Sequence, residues 1–174
     1  MTNDQFSGFT LFEALIVTVI IGILSTIAAP NWLTFLQRQR LDVAKREVFQ
    51  GMRTAQRKAN QEKNTWQVTF REANQVVQWR IDPDPNSICD SETGWKNLDS
   101  RITLDTENVT FPSVSGTDND CWRVQFDAKG RAIGEDGFYN GKITLSARNI
   151  DNKECVIIST FLGAMREDQD GGCE

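Results

Sequence analysis

The stretch Gly8-Phe9-Thr10-Leu11-Phe12-Glu13-Ala14-Leu15-Ile16-Val17 opens an apolar run that continues to Ala29 with Glu13 as its single charged side chain. At about 1.5 Å per residue, the roughly 21 residues from Phe9 to Ala29 are long enough to span a bilayer core as a helix. A charge inside such a helix is costly and usually has a partner. Cleavage after Gly8 would supply one, because Phe9 would gain an α-ammonium at membrane depth that Glu13 neutralises. A removable secretory signal is disfavoured: it calls for a basic start and a small-x-small cleavage site after a shorter apolar run.

Beyond Pro30 the apolar positions Trp32, Phe35, Leu36, Leu41, Ala44, Val48, Met52, Ala55 and Ala59 recur every three or four residues, the period of one helix face. Good helix formers fill the positions between them, so one helix from about Phe9 to Asn60, roughly 75 to 80 Å long, is expected. Gly22 and Pro30 are its weak places, one for backbone entropy and the other for its missing N–H, and they predict a kink or local unwinding. From Thr65 the period changes to two. Trp66, Val68 and Phe70, then Val77, Trp79 and Ile81, read as a hairpin around a turn at Glu72 to Asn74. Residues 82 to 120 read as loops with one or two short strands, at Ile102 to Leu104 and Val109 to Phe111. Trp122, Val124 and Phe126 precede a turn at Asp127 to Gly130, and Ile143, Leu145 and Ala147 form a further strand. The run Val156 to Thr160 suits a central strand, and the polar tail Arg166 to Glu174 would be loose without Cys173. The expected fold is α+β: a long helix whose second half lies against a small, mostly antiparallel β head.

Charge is uneven along the chain. Residues 1–30 hold Asp4 and Glu13, residues 31–60 hold seven Lys/Arg and two acids, and residues 61–174 hold twelve Lys/Arg and twenty acids. The local sums of −2, +5 and −8 describe a basic stem and an acidic head, poorly suited to general nucleic-acid binding. Cys89, Cys121, Cys155 and Cys173 all lie beyond the apolar run, where a head outside the membrane would keep disulfides. With no His and no C-x-x-C pair, a zinc site is disfavoured and no metal or cofactor is expected. Four cysteines allow three connectivities. Cys89 with Cys121, fastening the irregular segment to the sheet, and Cys155 with Cys173, holding the tail, is the favoured set. The chain lacks a G-x-S-x-G and a phosphate loop as well as His, so it does not read as an enzyme. Asp82-x-Asp84-x-Asn86 begins like a calcium loop, but Pro83 and Pro85 intervene and Ser87 and Thr93 stand where Gly and Glu are needed. Trp66, Trp79 and Trp122 fall in strand patterns and read as core.

Gly8 to Val17, with Gly22 and Pro30, resembles the N-terminal signature of type IV pilins and pseudopilins. The resemblance implies a leader of residues 1–8, cleavage between Gly8 and Phe9 by a prepilin peptidase, and N-methylation of Phe9. It further implies a transmembrane and assembly helix over 9–30, an amphipathic helix over 31–60 and a β-rich head over 61–174. The protein would be stored in the inner membrane with its head periplasmic and then packed with other pilin subunits into a surface filament. There Glu13 would meet a neighbour's N-terminus, and the stretch from Gly22 to Pro30 would unwind. Arg53 to Phe70, Phe126 to Gly130 and Ile157 to Arg166 resemble the GspH/FimT branch, which contains secretion pseudopilins and minor pilins. A structural minor pilin or pseudopilin is therefore expected, with a pilus-borne adhesin or DNA-uptake receptor as the alternative. Two features depart from the pattern. Residues 1–7 contain Asp4 and no Lys or Arg, which with the basic residues beyond the span runs against the positive-inside bias. Where some FimT-type pilins carry G-R-x-R for DNA, this chain has Gly163-Ala164-Met165-Arg166 followed by acids, so Arg166 is a weak ligand contact and DNA is not an expected partner.

Overall fold

The computed structural model describes residues 10–83, 89, 93–115, 120–134, 140–148 and 150–174, and within these the side chains of all but 27–31, 115 and 120. Helix α1 runs Leu11–Glu62. It starts where Thr10 accepts a hydrogen bond on Oγ1 from the Glu13 N–H at 3.2 Å, so Thr10 caps the first turn. The chain divides into two units, one ending at Leu36 and the other comprising Gln37–Glu174.

In the first unit, α1 is unbroken through both Gly22 and Pro30, where the sequence predicts a kink or unwinding. Thr18 and Thr26 donate their hydroxyls to the carbonyls of Leu15 and Ile23, satisfying polar groups within an apolar surface. Among the described residues no helix is long and apolar enough to cross a membrane; Phe9, where the expected span starts, lies outside the described residues, as do the side chains of residues 27–30 at its far end.

In the second unit, Leu41, Ala44, Val48, Met52, Ala55 and Ala59 of α1 are each no more than 3% exposed. This helix face is part of the same core as the sheets, and the compact unit that contains them runs Gln37–Glu174. Two antiparallel sheets meet this face. The first contains β1 (Trp66–Ala73), β2 (Val76–Asp82), β3 (Lys96–Asn97), β5 (Ser113–Ser115), β6 (Asp120–Phe126) and β7 (Ala132–Ile133). Its order is β3-β2-β1-β6-β5, with β7 also beside β6. The second sheet has the order β10-β9-β8-β4, with β4 (Ile102–Leu104), β8 (Gly141–Ala147), β9 (Lys153–Ile158) and β10 (Met165–Gln169). Val68, Phe70, Val77, Trp79, Val124 and Phe126 from the first sheet join Ile143, Leu145, Val156 and Ile158 from the second in one core with the helix.

Specific contacts fix the helix to both sheets. Trp79 donates its indole N–H to Glu47 at 3.1 Å, and its ring lies so close to Gly51 that a Cβ there would come within 2.6 Å of it. Lys45 is 7% exposed, and its Nζ meets Glu154 of β9 at 2.6 Å, Asp42 at 3.3 Å and Glu167 of β10 at 3.7 Å.

Four details differ from the sequence expectation. The hairpin turn is Asn74–Gln75, both residues at positive φ (52° and 62°), because β1 continues through Glu72 and Ala73. Val109 to Phe111 is not a strand; Phe111 is buried by stacking on Phe70 with centroids 6.4 Å apart. The tail is held at Cys173 as expected, but it also forms a strand, β10, that its polar sequence does not predict, followed by a 3-10 turn over Asp170–Cys173. Gln67, Thr69 and Arg80, which alternation places toward solvent, are buried. They lie on the sheet face carrying Arg71, whose guanidinium packs on Trp95 at 4.0 Å, as does that of Arg80 at 4.8 Å.

Candidate functional site

The assembly motif and the head surface are the two places where the sequence locates function. Gly8 and Phe9, the expected cleavage and methylation residues, lie outside the described residues. Glu13 is exposed and lies in the first turn of α1. Thr10-Leu11-Phe12-Glu13 is a T-x-x-E sequence of the capping-box type, a second reason for an acid at this position that periodicity alone does not reveal. The carboxylate also sits where the helix dipole favours negative charge. Around it the apolar side chains have no cover of their own: Leu11 is 85% exposed, Phe12 71% and Leu15 53%. A Cβ at Gly22 would meet nothing within 4 Å, so in the single chain this glycine makes no close approach.

In the head, Cys89 pairs with Cys121, with Cα atoms 6.0 Å apart, and Cys155 pairs with Cys173, 5.6 Å apart. The first bridge ties the segment after β2 to the start of β6. Arg71 of β1 donates to the Cys89 carbonyl at 2.9 Å, so the same segment is also held by a side chain. The second bridge ties the C-terminal turn to β9. Lys142 of β8 adds a 2.6 Å hydrogen bond to the Cys173 carbonyl.

Arg166, the candidate ligand contact, lies on β10 and pairs with Asp168 at 2.9 Å. The turn before it depends on Gly163, at φ +74°, whose Cβ position would lie 2.7 Å from the Gly130 carbonyl. Gln56 of α1 donates its side-chain amide to the carbonyls of Gly130 and Gly163 at 2.8 and 2.9 Å, joining the β6–β7 and β9–β10 turns to the helix. Sequence reading passed over Gln56, since a polar residue on an amphipathic helix looks like solvent face. Among the described residues, no group of His, Cys, Asp and Glu is arranged to hold a metal ion.

The prokaryotic N-terminal methylation motif matches residues 4–29. A 64-residue segment is 41% identical to the type IV major pilin protein PilA of Myxococcus xanthus, covering 37% of this chain. This match spans only 29% of that relative's length. Among solved structures, the minor pseudopilin EpsH from the type 2 secretion system of Vibrio cholerae superposes with a TM-score of 0.51 at 11% identity, over 76% of this chain and 98% of that one. The type IV minor pilin FimU of Pseudomonas aeruginosa superposes with a TM-score of 0.54 at 12% identity, over 80% and 99%. The fold of this chain is that of type IV pilin-like proteins.

Proposed function

We propose that this type IV pilin-like chain is a minor pilin or pseudopilin, a structural subunit of a type IV pilus or type II secretion-like filament that helps the filament to initiate or assemble. A prepilin peptidase cuts it between Gly8 and Phe9, Phe9 is N-methylated, and the inner membrane holds the helix while the head stands on the periplasmic side.

The observation that carries this reading is the methylation motif at residues 4–29 placed ahead of a head with the pilin fold. The physics of the first unit agrees with it. An unaccompanied helix with Leu11, Phe12, Ile23 and Leu24 all more than half exposed has an apolar surface that gains from lipid or from neighbouring helices. Glu13 is then the counter-ion for the ammonium of a neighbour's Phe9, and Gly22 and Pro30 are where the helix loosens to fit the packed core. The two disulfides suit an oxidising compartment. The DNA-receptor alternative is less favoured: Arg166 is bound by Asp168, and Glu167 and Asp168 set negative charge beside it.

Intact-mass analysis of the protein from cells containing their peptidase tests the reading. The mature chain is expected to begin at Phe9 carrying one methyl group. Recovery of the chain with Met1 to Gly8 still attached would overturn the assignment.

A further inference from the structure

We propose that the exposed face of α1 around Arg53 and Arg57 docks on the acidic patch of Asp105, Glu107 and Glu174 of a second copy of this chain, in an asymmetric contact that repeats from copy to copy. The proposal rests on the filament-subunit reading above and deepens it by naming the partner and both surfaces. The two surfaces belong to one compact unit, Gln37–Glu174.

A shallow groove of about 370 Å³ runs along α1, lined by Phe49, Gln50, Arg53, Thr54 and Arg57, with no acid among them. Arg53 and Arg57 are exposed, and the helix itself holds them in place. The Arg53 guanidinium lies 5.0 Å from the centre of the Phe49 ring. Arg57 donates to the Thr54 hydroxyl at 3.3 Å, and that hydroxyl donates to the Gln50 carbonyl at 2.7 Å. Arg46, Arg131 and Arg166 each have a carboxylate partner. Among the described residues Arg53 and Arg57 have none, in a unit where acids outnumber bases. Four residues apart, they stand about 6 Å apart along the helix axis. They offer two planar forks suited to carboxylates, beside an aromatic ring that suits the stem of a glutamate.

The complement is on the same chain. Asp105 follows β4, Glu107 lies in the next turn, and Glu174 follows the C-terminal 3-10 turn. They gather around Lys153, the first residue of β9, whose Nζ meets Asp105 at 2.8 Å. That bond outweighs desolvation, and the charges of Asp105, Glu174 and Glu107 add to it, so the Lys153 pKa lies above the ordinary lysine value. Three carboxylates around one ammonium leave negative charge in excess. Glu107 and Glu174 are exposed and, among the described residues, make no ion pair. The Cys155–Cys173 bridge and the Lys142 bond fix the turn that precedes Glu174, so this patch is as firmly built as the groove. Groove and patch share no residue, so a contact between them is heterologous and propagates as a ring or an open array. Opposite charge on the two surfaces favours that register and disfavours groove on groove or patch on patch.

Sedimentation equilibrium of the full-length chain in density-matched detergent tests the proposal. The unaltered chain is expected to associate at concentrations up to about 1 mM, the range of weak contacts, and to lose about tenfold in affinity as salt rises from about 50 to 500 mM. Arg53→Glu with Arg57→Glu, and separately Glu107→Arg with Glu174→Arg, are each expected to weaken association by about tenfold or more. An equimolar mixture of the two variants is expected to associate again, because the acidic groove of one meets the basic patch of the other. Arg53→Gln with Arg57→Gln, a milder change at exposed positions, is expected to weaken association about threefold or more and decides the matter if a reversal variant folds poorly. Association that is indifferent to these changes overturns the proposal, as does a mixture of folded variants that stays dissociated. An unaltered chain that remains monomeric at the concentration limit also overturns it. Binding of a glutamate-rich peptide or a short DNA duplex by that monomer would assign the groove to a different anion. Because the assay uses purified protein with or without its leader, its failure is separable from failure of cleavage or methylation.

Discussion

Gln56 shows how much can rest on one polar side chain. Its amide holds two turns from different sheets, and truncation leaves the carbonyls of Gly130 and Gly163 without their donor. Gln56→Ala is expected to destabilise the chain by about 1–3 kcal/mol, the usual loss when paired buried groups are left unmet. Denaturant unfolding followed by tryptophan fluorescence measures it, and a loss under about 0.5 kcal/mol, the range of ordinary surface changes, would show that water replaces the amide. Asp127 organises the neighbouring turn, accepting from the backbone N–H groups of Lys129 and Arg131 and from the Arg131 side chain. Burial alone would raise its pKa, but the hydrogen bonds and charge of Arg131 outweigh this and hold it below the ordinary carboxylate value. A folded pKa below the unfolded one gives stability that is present above the unfolded value, near pH 4, and lost as pH falls through the folded value. Asp127→Asn is therefore expected to be less stable at pH 7 and to lose less on acidification to pH 3. An acid limb as steep as that of the unaltered chain would assign the loss to other carboxylates, such as Asp105. There too burial is outweighed, by hydrogen bonds from Lys153 and Asn108 and the Lys153 charge.

At the scale of elements, the C-terminal strand and turn are held by three means: the β9–β10 ladder, the Lys142 bond to Cys173, and the Cys155–Cys173 bridge. The bridge also buries a small cluster with Ile157, apart from the main core. Its cysteines are 18 residues apart, so replacing both by serine is expected to cost about 3 kcal/mol in the chain-entropy account. Limited trypsin digestion provides the readout. Cleavage after Arg166 should become fast while the remainder of the head resists, and unchanged cleavage would mean that the ladder and Lys142 suffice. The same region shows where sequence stops being informative. Met165 is buried but Arg166, Glu167 and Gln169 of β10 face solvent, so an edge strand left no alternation to find. The long helix and the hairpin strands were legible because their burial is one-sided and periodic. That the strands sort into two sheets was not, since alternation reports the buried face and is silent on the partner strand. Gln67 and Thr69 misled for a related reason: a second covering layer, unseen in local pattern, buries a polar face.

At the scale of the molecule, the N-terminal motif was legible because an acid in an apolar run is rare enough to need a cause. The approach of Arg148 to Arg101, whose carbonyl accepts its backbone N–H at 2.9 Å, was not, because residues 47 apart in sequence meet only through the β4–β8 pairing and its flanks. Glu13→Val is expected to stay in the membrane fraction while entering sheared filaments less often, since insertion gains from losing a charge as the partner ammonium loses its counter-ion. Equal incorporation of variant and unaltered chain would remove Glu13 from that role. The attachments of Lys45 and Glu47 to separate strands, and of Gln56 to two turns, have a mechanical meaning for any subunit drawn along by its stem. They are spread over about 16 Å of one stiff helix, at 1.5 Å per residue, and reach both sheets. Traction along the helix axis therefore strains them together in shear, with no first bond to peel. The head should yield late under load and in one step, at a force set by its rate of opening rather than by its equilibrium stability.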